Sequence, residues 1–202
     1  MVVRSSATAE DLPDASFAGQ HDTYLNVIGE QEVVSRVTDC WASLWTTRAA
    51  HYRSTHGLQP QSADMAVVIQ EMVPARASGV MFTAFPENGD IIRLLINAAW
   101  GLGEGVAAGQ VDADTFTIDK ATRAILSSTV VQKATSMAAK RRGGIRLAPT
   151  KEASRGLPSL TEAHIGEVTE LGCAIEALFR AAQDIEWCVD YGEVFVVQSR
   201  PI

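Results

Sequence analysis

Two acids, an amide and an arginine stand at even positions near the end of the chain, in QDIEWCVDYGEVFVVQSRPI. Asp184, Glu186 and Gln198 offer oxygen donors and Arg200 a planar cation, a set suited to a divalent metal ion and a phosphate. The alternation predicts a β-hairpin. One face would carry Ile185, Trp187, Val189, Phe195 and Val197, and the other the four polar residues. A three-residue connection, Tyr191-Gly192-Glu193, puts Glu186 opposite Gln198 and Asp184 opposite Arg200. Such partners lie ~5 Å apart, close enough to share one ion or one phosphate. A two-residue turn would instead bring Glu186 opposite Val197, so the pairing depends on the loop. A polar solvent face on an edge hairpin remains the competing reading.

Other residues carry weaker chemical signals. Arg4 follows two valines and precedes Ser5 and Ser6, so a strand would deliver its guanidinium to a hydroxyl-rich turn, as a phosphate reader or as an ordinary surface arginine. FAGQHDTY adds Gly19 and Thr23, permissive backbone and a hydroxyl. VVIQEMVPA reads as a strand leaving the core, either a plain buried strand or one wall of an apolar slot for a purine, with Gln70 beside it. In WGLGEGVAAGQ, Gly101, Gly103, Gly105 and Gly109 surround Glu104, which suits close approach of backbone to a ligand or a flexible loop with one solvated acid. No GxxxxGK[ST] is present, and GLGEGV lacks the frame of a dinucleotide-binding turn. His21, His51, His56 and His164 are scattered.

The bulk properties bound the answer. The chain has 202 residues, 47% hydrophobic and 20% charged, enough for one sizeable domain or two small ones. A net charge of -7 argues against nucleic acid or an anionic membrane as main partner. The basic stretch 133–157 lacks the interleaved aromatics of a nucleic-acid site. Cys40, Cys173 and Cys188 form no disulfide framework or metal knuckle. No signal peptide opens the sequence and no run reaches the ~20 apolar residues of a membrane span. A cytoplasmic location is expected.

The elements that must position these groups follow from periodicity. Between Gly29 and Gly57, Val33, Val34, Val37, Trp41, Leu44, Trp45 and Ala49 predict one long amphipathic helix. Strands are predicted at 65–73, 78–85 and 91–100, then in DTFTIDK and AILSSTVVQK around a turn at Lys120–Arg123. The stretch 133–157 reads as a mobile connection. Ser159 and Glu162 predict a capping box for a second helix with the stripe Ile165, Val168, Leu171, Ile175, Leu178 and Phe179. Helix, strands, helix, hairpin is an α+β order with a mixed or antiparallel sheet.

VRSSATAEDLPDASFAGQHDTYLNV, WGLGEGVAAGQV and QDIEWC with VFVVQSRPI together resemble the ATP-binding domain of the phosphoenolpyruvate synthase, pyruvate phosphate dikinase and rifampin phosphotransferase family, nearly end to end. The resemblance implies an ATP-grasp fold holding ATP and Mg²⁺ between two subdomains, 1–64 being the remaining part of the first and 65–202 the second. Carried over by motif, Arg4, Gly19, Thr23, Gln70, Glu104, Glu186, Gln198 and Arg200 match nucleotide-binding positions. Glu186 and Gln198 match the metal ligands, and Arg4, Asp184 and Arg200 the groups at the reacting phosphates. The family implies phosphorylation of a histidine on a swivelling domain, then transfer to pyruvate or an antibiotic hydroxyl on an acceptor-substrate domain. Neither domain, nor a lysine-bearing N-terminal segment, is recognisable here, so the expectation is an N-terminally truncated piece of a larger enzyme, not active alone. The alternative is a non-catalytic fragment or split-enzyme module that only binds nucleotide or a partner.

Overall fold

The structure, a computed structural model, describes residues 1–7, 11–12, 15–16, 22–55, 64–85 and 90–202. It is mixed α and β with antiparallel sheets, in two compact units. The first comprises Met1–Met72 with Ala139–Ile145, and the second Val73–Ala138 with Arg146–Ile202. Among the described residues, no helix is long and apolar enough to cross a membrane.

In the first unit, strand β1 (Val2–Ala7) lies between β4 (Thr23–Tyr24) and β5 (Met65–Gln70), antiparallel to both. A short ladder of β2 (Asp11–Leu12) and β3 (Ala15–Ser16) precedes β4. Because β5 pairs along the whole of β1, it belongs to this unit, which runs past the boundary expected at residue 64. Helix α1 (Glu30–Ser43) packs on one face, with Val3, Val27 and Cys40 buried and Val33, Val37 and Val67 against them.

The single helix expected over 29–57 is two, because α2 (Thr47–Thr55) starts after a break. Thr46 explains it: its hydroxyl donates to the Ser43 carbonyl at 3.0 Å and accepts from the Ala49 amide at 3.3 Å. Local bonding of this kind closes one helix and opens the next. Val34 and Trp41 of α1 and Trp45 just beyond it, expected in the buried stripe, are exposed. Asn26, in a left-handed conformation, donates to the carbonyls of Lys140 and Gly144 at 2.7 and 2.8 Å and fastens the 139–145 turn.

The second unit is built on a six-stranded antiparallel sheet. Its strands are β6 (Ala77–Phe82), β7 (Arg93–Trp100), β8 (Asp114–Asp119), β9 (Ile125–Thr129), β12 (Gln183–Asp190) and β13 (Glu193–Pro201), in the order β13-β12-β6-β7-β8-β9. Strand parity sorts the residues. Met81, Ile96, Phe116, Ile118, Ile185 and Trp187 point to one face and form the core with Ile165 and Val168 of helix α4 (Glu162–Phe179). Gly79 and Gly172 permit this packing: a Cβ on Gly79 would stand 1.8 Å from the Asn97 carbonyl, and one on Gly172 2.1 Å from Met81.

Three expectations about this unit change. First, α4 is capped by Thr161, whose hydroxyl accepts the His164 amide at 3.2 Å, while Ser159 is buried and bonded to Asp114. Leu178 and Phe179 at the helix end are exposed rather than part of the stripe. Second, 133–157 is ordered, with β10 (Thr135–Ala139), β11 (Ile145–Pro149) and a 3-10 turn at Glu152–Ser154. Its anchor is the fully buried pair Lys133–Asp114, at 2.5 Å. Asp114 also accepts from the Val131 amide and from the amide and hydroxyl of Ser159, so each carboxylate oxygen has two donors. Composition hid this, because a lysine among arginines reads as surface.

Third, the terminal hairpin turns in two residues, Tyr191 and Gly192, both at positive φ, not three. Glu186 nevertheless faces Gln198, and Asp184 faces Arg200, because a bulge at Val197 restores the register. The faces shift accordingly. Val194 and Val196 lie opposite Val189 and Trp187, while Phe195 pairs with Cys188 on the other side and is exposed.

Candidate functional site

The face of the second unit's sheet opposite α4 carries the polar groups. The pairings place Gln198, Glu186, Val80, Asn97 and Thr115 in one row across five strands, and Arg200, Asp184 and Phe82 in the next. A cleft of about 330 Å³ opens on this face. Asp184, Glu186, Arg200 and Asn97 are its polar lining, and Val80 and Phe82 the apolar floor between them. Val106, Ala107, Val111 and Ala113 form the remaining wall.

That wall is the glycine-rich segment, folded into the short helix α3 (Glu104–Ala107). Ser78 donates its hydroxyl to the Gly101 carbonyl at 2.6 Å, and the Leu102 amide reaches the Met137 carbonyl at 2.9 Å. Gly101 is indispensable to this path: its φ is 86°, and a Cβ there would stand 2.2 Å from the Met137 carbonyl oxygen. Glu104 itself is half-buried at the head of α3 and is not among the residues lining the cleft.

Arg200 donates from Nε and Nη2 to one oxygen of Asp184, at 2.9 and 2.7 Å. The other oxygen, Oδ1, is buried and has no hydrogen-bond partner among the described residues. A buried carboxylate oxygen left open costs free energy unless a cation or donor meets it. Among the described residues no group of three or more His, Cys, Asp or Glu could hold a metal. The carboxylates at the cleft, Asp184 and Glu186, are a pair, and Mg²⁺ is commonly held by one or two carboxylates with water and phosphate oxygens completing its shell. The donor set therefore fits Mg²⁺. Gln198 faces Glu186 on the neighbouring strand but does not line the cleft.

In the first unit, Arg4 pairs with Thr23 on one side and Val68 on the other, and Val2 pairs with Gln70. Arg4, Thr23 and Gln70 thus share the sheet face opposite α1. Thr23 is exposed, Arg4 and Gln70 half-buried. Gly19 lies outside the described residues.

Asn97 and Thr115 were missed from sequence. Asn97 is the lone polar residue within LLINAAW, and a polar side chain inside an apolar strand is the signal that would have found it.

A family model described as pyruvate phosphate dikinase, AMP/ATP-binding domain, matches residues 1–202. The chain belongs to this family. It is 47% identical over 99% of its length to a rifampicin phosphotransferase from Streptomyces sp, of which it spans 23%. It is 44% identical over its full length to a probable phosphoenolpyruvate synthase from Archaeoglobus fulgidus, spanning 27% of that protein. It is 45% identical, again over its full length, to the prodigiosin synthesizing transferase PigC from Serratia marcescens, spanning 22%. The chain spans about a quarter of the length of the curated relatives it matches.

Proposed function

We propose that this chain is the ATP- and Mg²⁺-binding part of a dikinase-type phosphotransferase, with an ATP-grasp fold. ATP and water would give AMP, inorganic phosphate and one phosphoryl group on a carrier histidine of a swivelling domain, and the histidine would pass that group to pyruvate or an antibiotic hydroxyl on a third domain. The observation that carries the reading is the hairpin pairing of Asp184 with Arg200 and Glu186 with Gln198 on a clefted sheet face.

Each side chain has a part. Arg200, oriented by Asp184, presents a fixed guanidinium to phosphate oxygens. Asp184 and Glu186, with Gln198 beside Glu186, would hold Mg²⁺, which when bound neutralises charge building on the phosphates. Val80, Phe82, Val106 and Val111 keep the walls apolar, and charge–charge attraction strengthens as water is excluded. Arg4, Thr23 and Gln70, with Gly19, are the first unit's nucleotide contacts in this reading, Gln70 at the purine and Arg4 at the phosphates. Glu104 is a supporting acid. Phosphoryl transfer asks mainly for positioning and charge neutralisation, which is what such residues supply. The location that goes with this function is the cytoplasm.

Isothermal titration of the chain with Mg-ATP tests the proposal. Heat of binding is expected, and Glu186→Ala is expected to abolish it while leaving the thermal midpoint nearly unchanged. Absence of heat, both from this chain and from a version extended to the length of its relatives' nucleotide domain, sinks it.

A further inference from the structure

We propose that Asn97 is a phosphate ligand of the bound nucleotide, donating from its Nδ2 to a phosphate oxygen at the floor of the cleft, with Thr115 as its positioning residue. The inference rests on the nucleotide reading above and extends it to residues that reading does not use.

Asn97 lies in the middle of β7, half-buried, on the side of the sheet away from α4. Its neighbours along the strand, Ile96 and Ala98, point into the core on the other face, which puts the amide on the cleft side. Burying a carboxamide without partners is costly. One end is satisfied: the Thr115 hydroxyl on β8 donates to Asn97 Oδ1 at 3.1 Å. That bond sets the amide's orientation and leaves the NH₂ end as the donor toward the cleft it lines. Among the described residues Nδ2 has no acceptor.

Register fixes what such a donor can meet. Asn97 pairs with Val80 and Val80 with Glu186, so the amide stands two strands from the carboxylate. Strands are spaced ~4.8 Å apart, giving ~10 Å across the floor. A single ion does not bridge that distance, whereas a polyphosphate chain does. The floor reads acceptor, apolar, donor, from Glu186 through Val80 to Asn97. The acid end suits a metal ion, and the amide end suits an anionic oxygen, which accepts hydrogen bonds and donates none.

The test is titration of the chain with Mg-ATP and, separately, displacement of ATP by inorganic tripolyphosphate, for the wild type and for Asn97→Asp, Thr115→Val and Thr115→Ser. Asn97→Asp keeps the shape and replaces the donor with a like charge, and it is expected to weaken both ligands roughly tenfold or more. Thr115→Val is expected to weaken both, and Thr115→Ser, which keeps the hydroxyl, to restore them. Unchanged affinity in Asn97→Asp overturns the proposal. So does a loss for ATP with none for tripolyphosphate, which would move the contact to the nucleoside. Thr115→Ser falling as far as Thr115→Val would show a packing role and overturn the positioning part. A wild type that binds no Mg-ATP, with none bound by the extended version either, removes the nucleotide reading itself, and this inference with it.

Discussion

Arg200 grips a single oxygen of Asp184 with two nitrogens, at 2.9 and 2.7 Å, and leaves the other buried and without a partner among the described residues. A bidentate fork spread over both oxygens would have used the carboxylate up. One oxygen thus orients the guanidinium, and in the proposed function the other would meet the metal ion. Asp184→Asn should therefore weaken the Mg²⁺ dependence of ATP binding by more than it weakens binding without the metal. The pair is partly exposed, so the stability change should stay near or below ~1 kcal/mol. Calorimetry with and without Mg²⁺, beside a denaturant melt, reads both. Equal loss in the two titrations would separate Asp184 from the metal.

The Lys133–Asp114 pair has the opposite character. Both side chains are wholly buried, and Asp114 ties together the start of β8, the Val131 amide and the Ser159 turn before α4. Removing one partner strands the other charge. Lys133→Met is expected to cost about 3–5 kcal/mol in urea unfolding. A loss under ~1 kcal/mol would mean that Lys133 is not held as described.

Gly79 and Gly172 both sit under large side chains, but the obstructing atoms differ. At Gly79 a Cβ meets the backbone carbonyl of Asn97 at 1.8 Å and the Trp187 ring at 2.7 Å, neither of which can move without opening the sheet. At Gly172 it meets the flexible end of Met81 at 2.1 Å. Gly79→Ala should cost about 3 kcal/mol or more. Gly172→Ala should cost clearly less, because Met81 can swing aside and alanine favours the helix. Thermal melts of the two variants decide it, and the reverse order would contradict the packing.

Burial pushes the Cys40 and Cys188 thiols up to about 11 from the ordinary 9.0, with nearby carboxylates adding to the effect. Burial, then the charge of Asp22, raises Tyr24 from 10.0 to about 12. Each group binds its proton more tightly folded than unfolded. Their contribution is thus complete below pH 9.0 and is lost as pH rises through about 11 to 12. Urea midpoints should fall across that window. Thiol labelling at neutral pH should reach the half-buried Cys173 first, and Cys40 and Cys188 only on unfolding. Rapid labelling of Cys188 in the folded chain would refute this.

Alternation in the sequence sufficed for β8, β9 and the terminal hairpin, and for the identity of the acids, amide and arginine on one of its faces, while a short β-branched run after a glycine sufficed for β7. Periodicity marked both helical regions, since an amphipathic stripe is a local property. It overran at Trp41, Trp45, Leu178 and Phe179, because apolar spacing records that a residue is apolar and not whether anything covers it.

The sequence by itself determined the family, through three motifs, and which residue types stand at the hairpin. Only tertiary structure decided the register. The Tyr191-Gly192 turn alone would have set Glu186 against Val197, and the bulge that corrects it leaves no mark in the order of residues. Tertiary structure also buried Lys133 and turned Asn97 toward the cleft. Both depend on partners distant along the chain, Asp114 and Thr115, and such pairings are set by how strands meet rather than by local spacing.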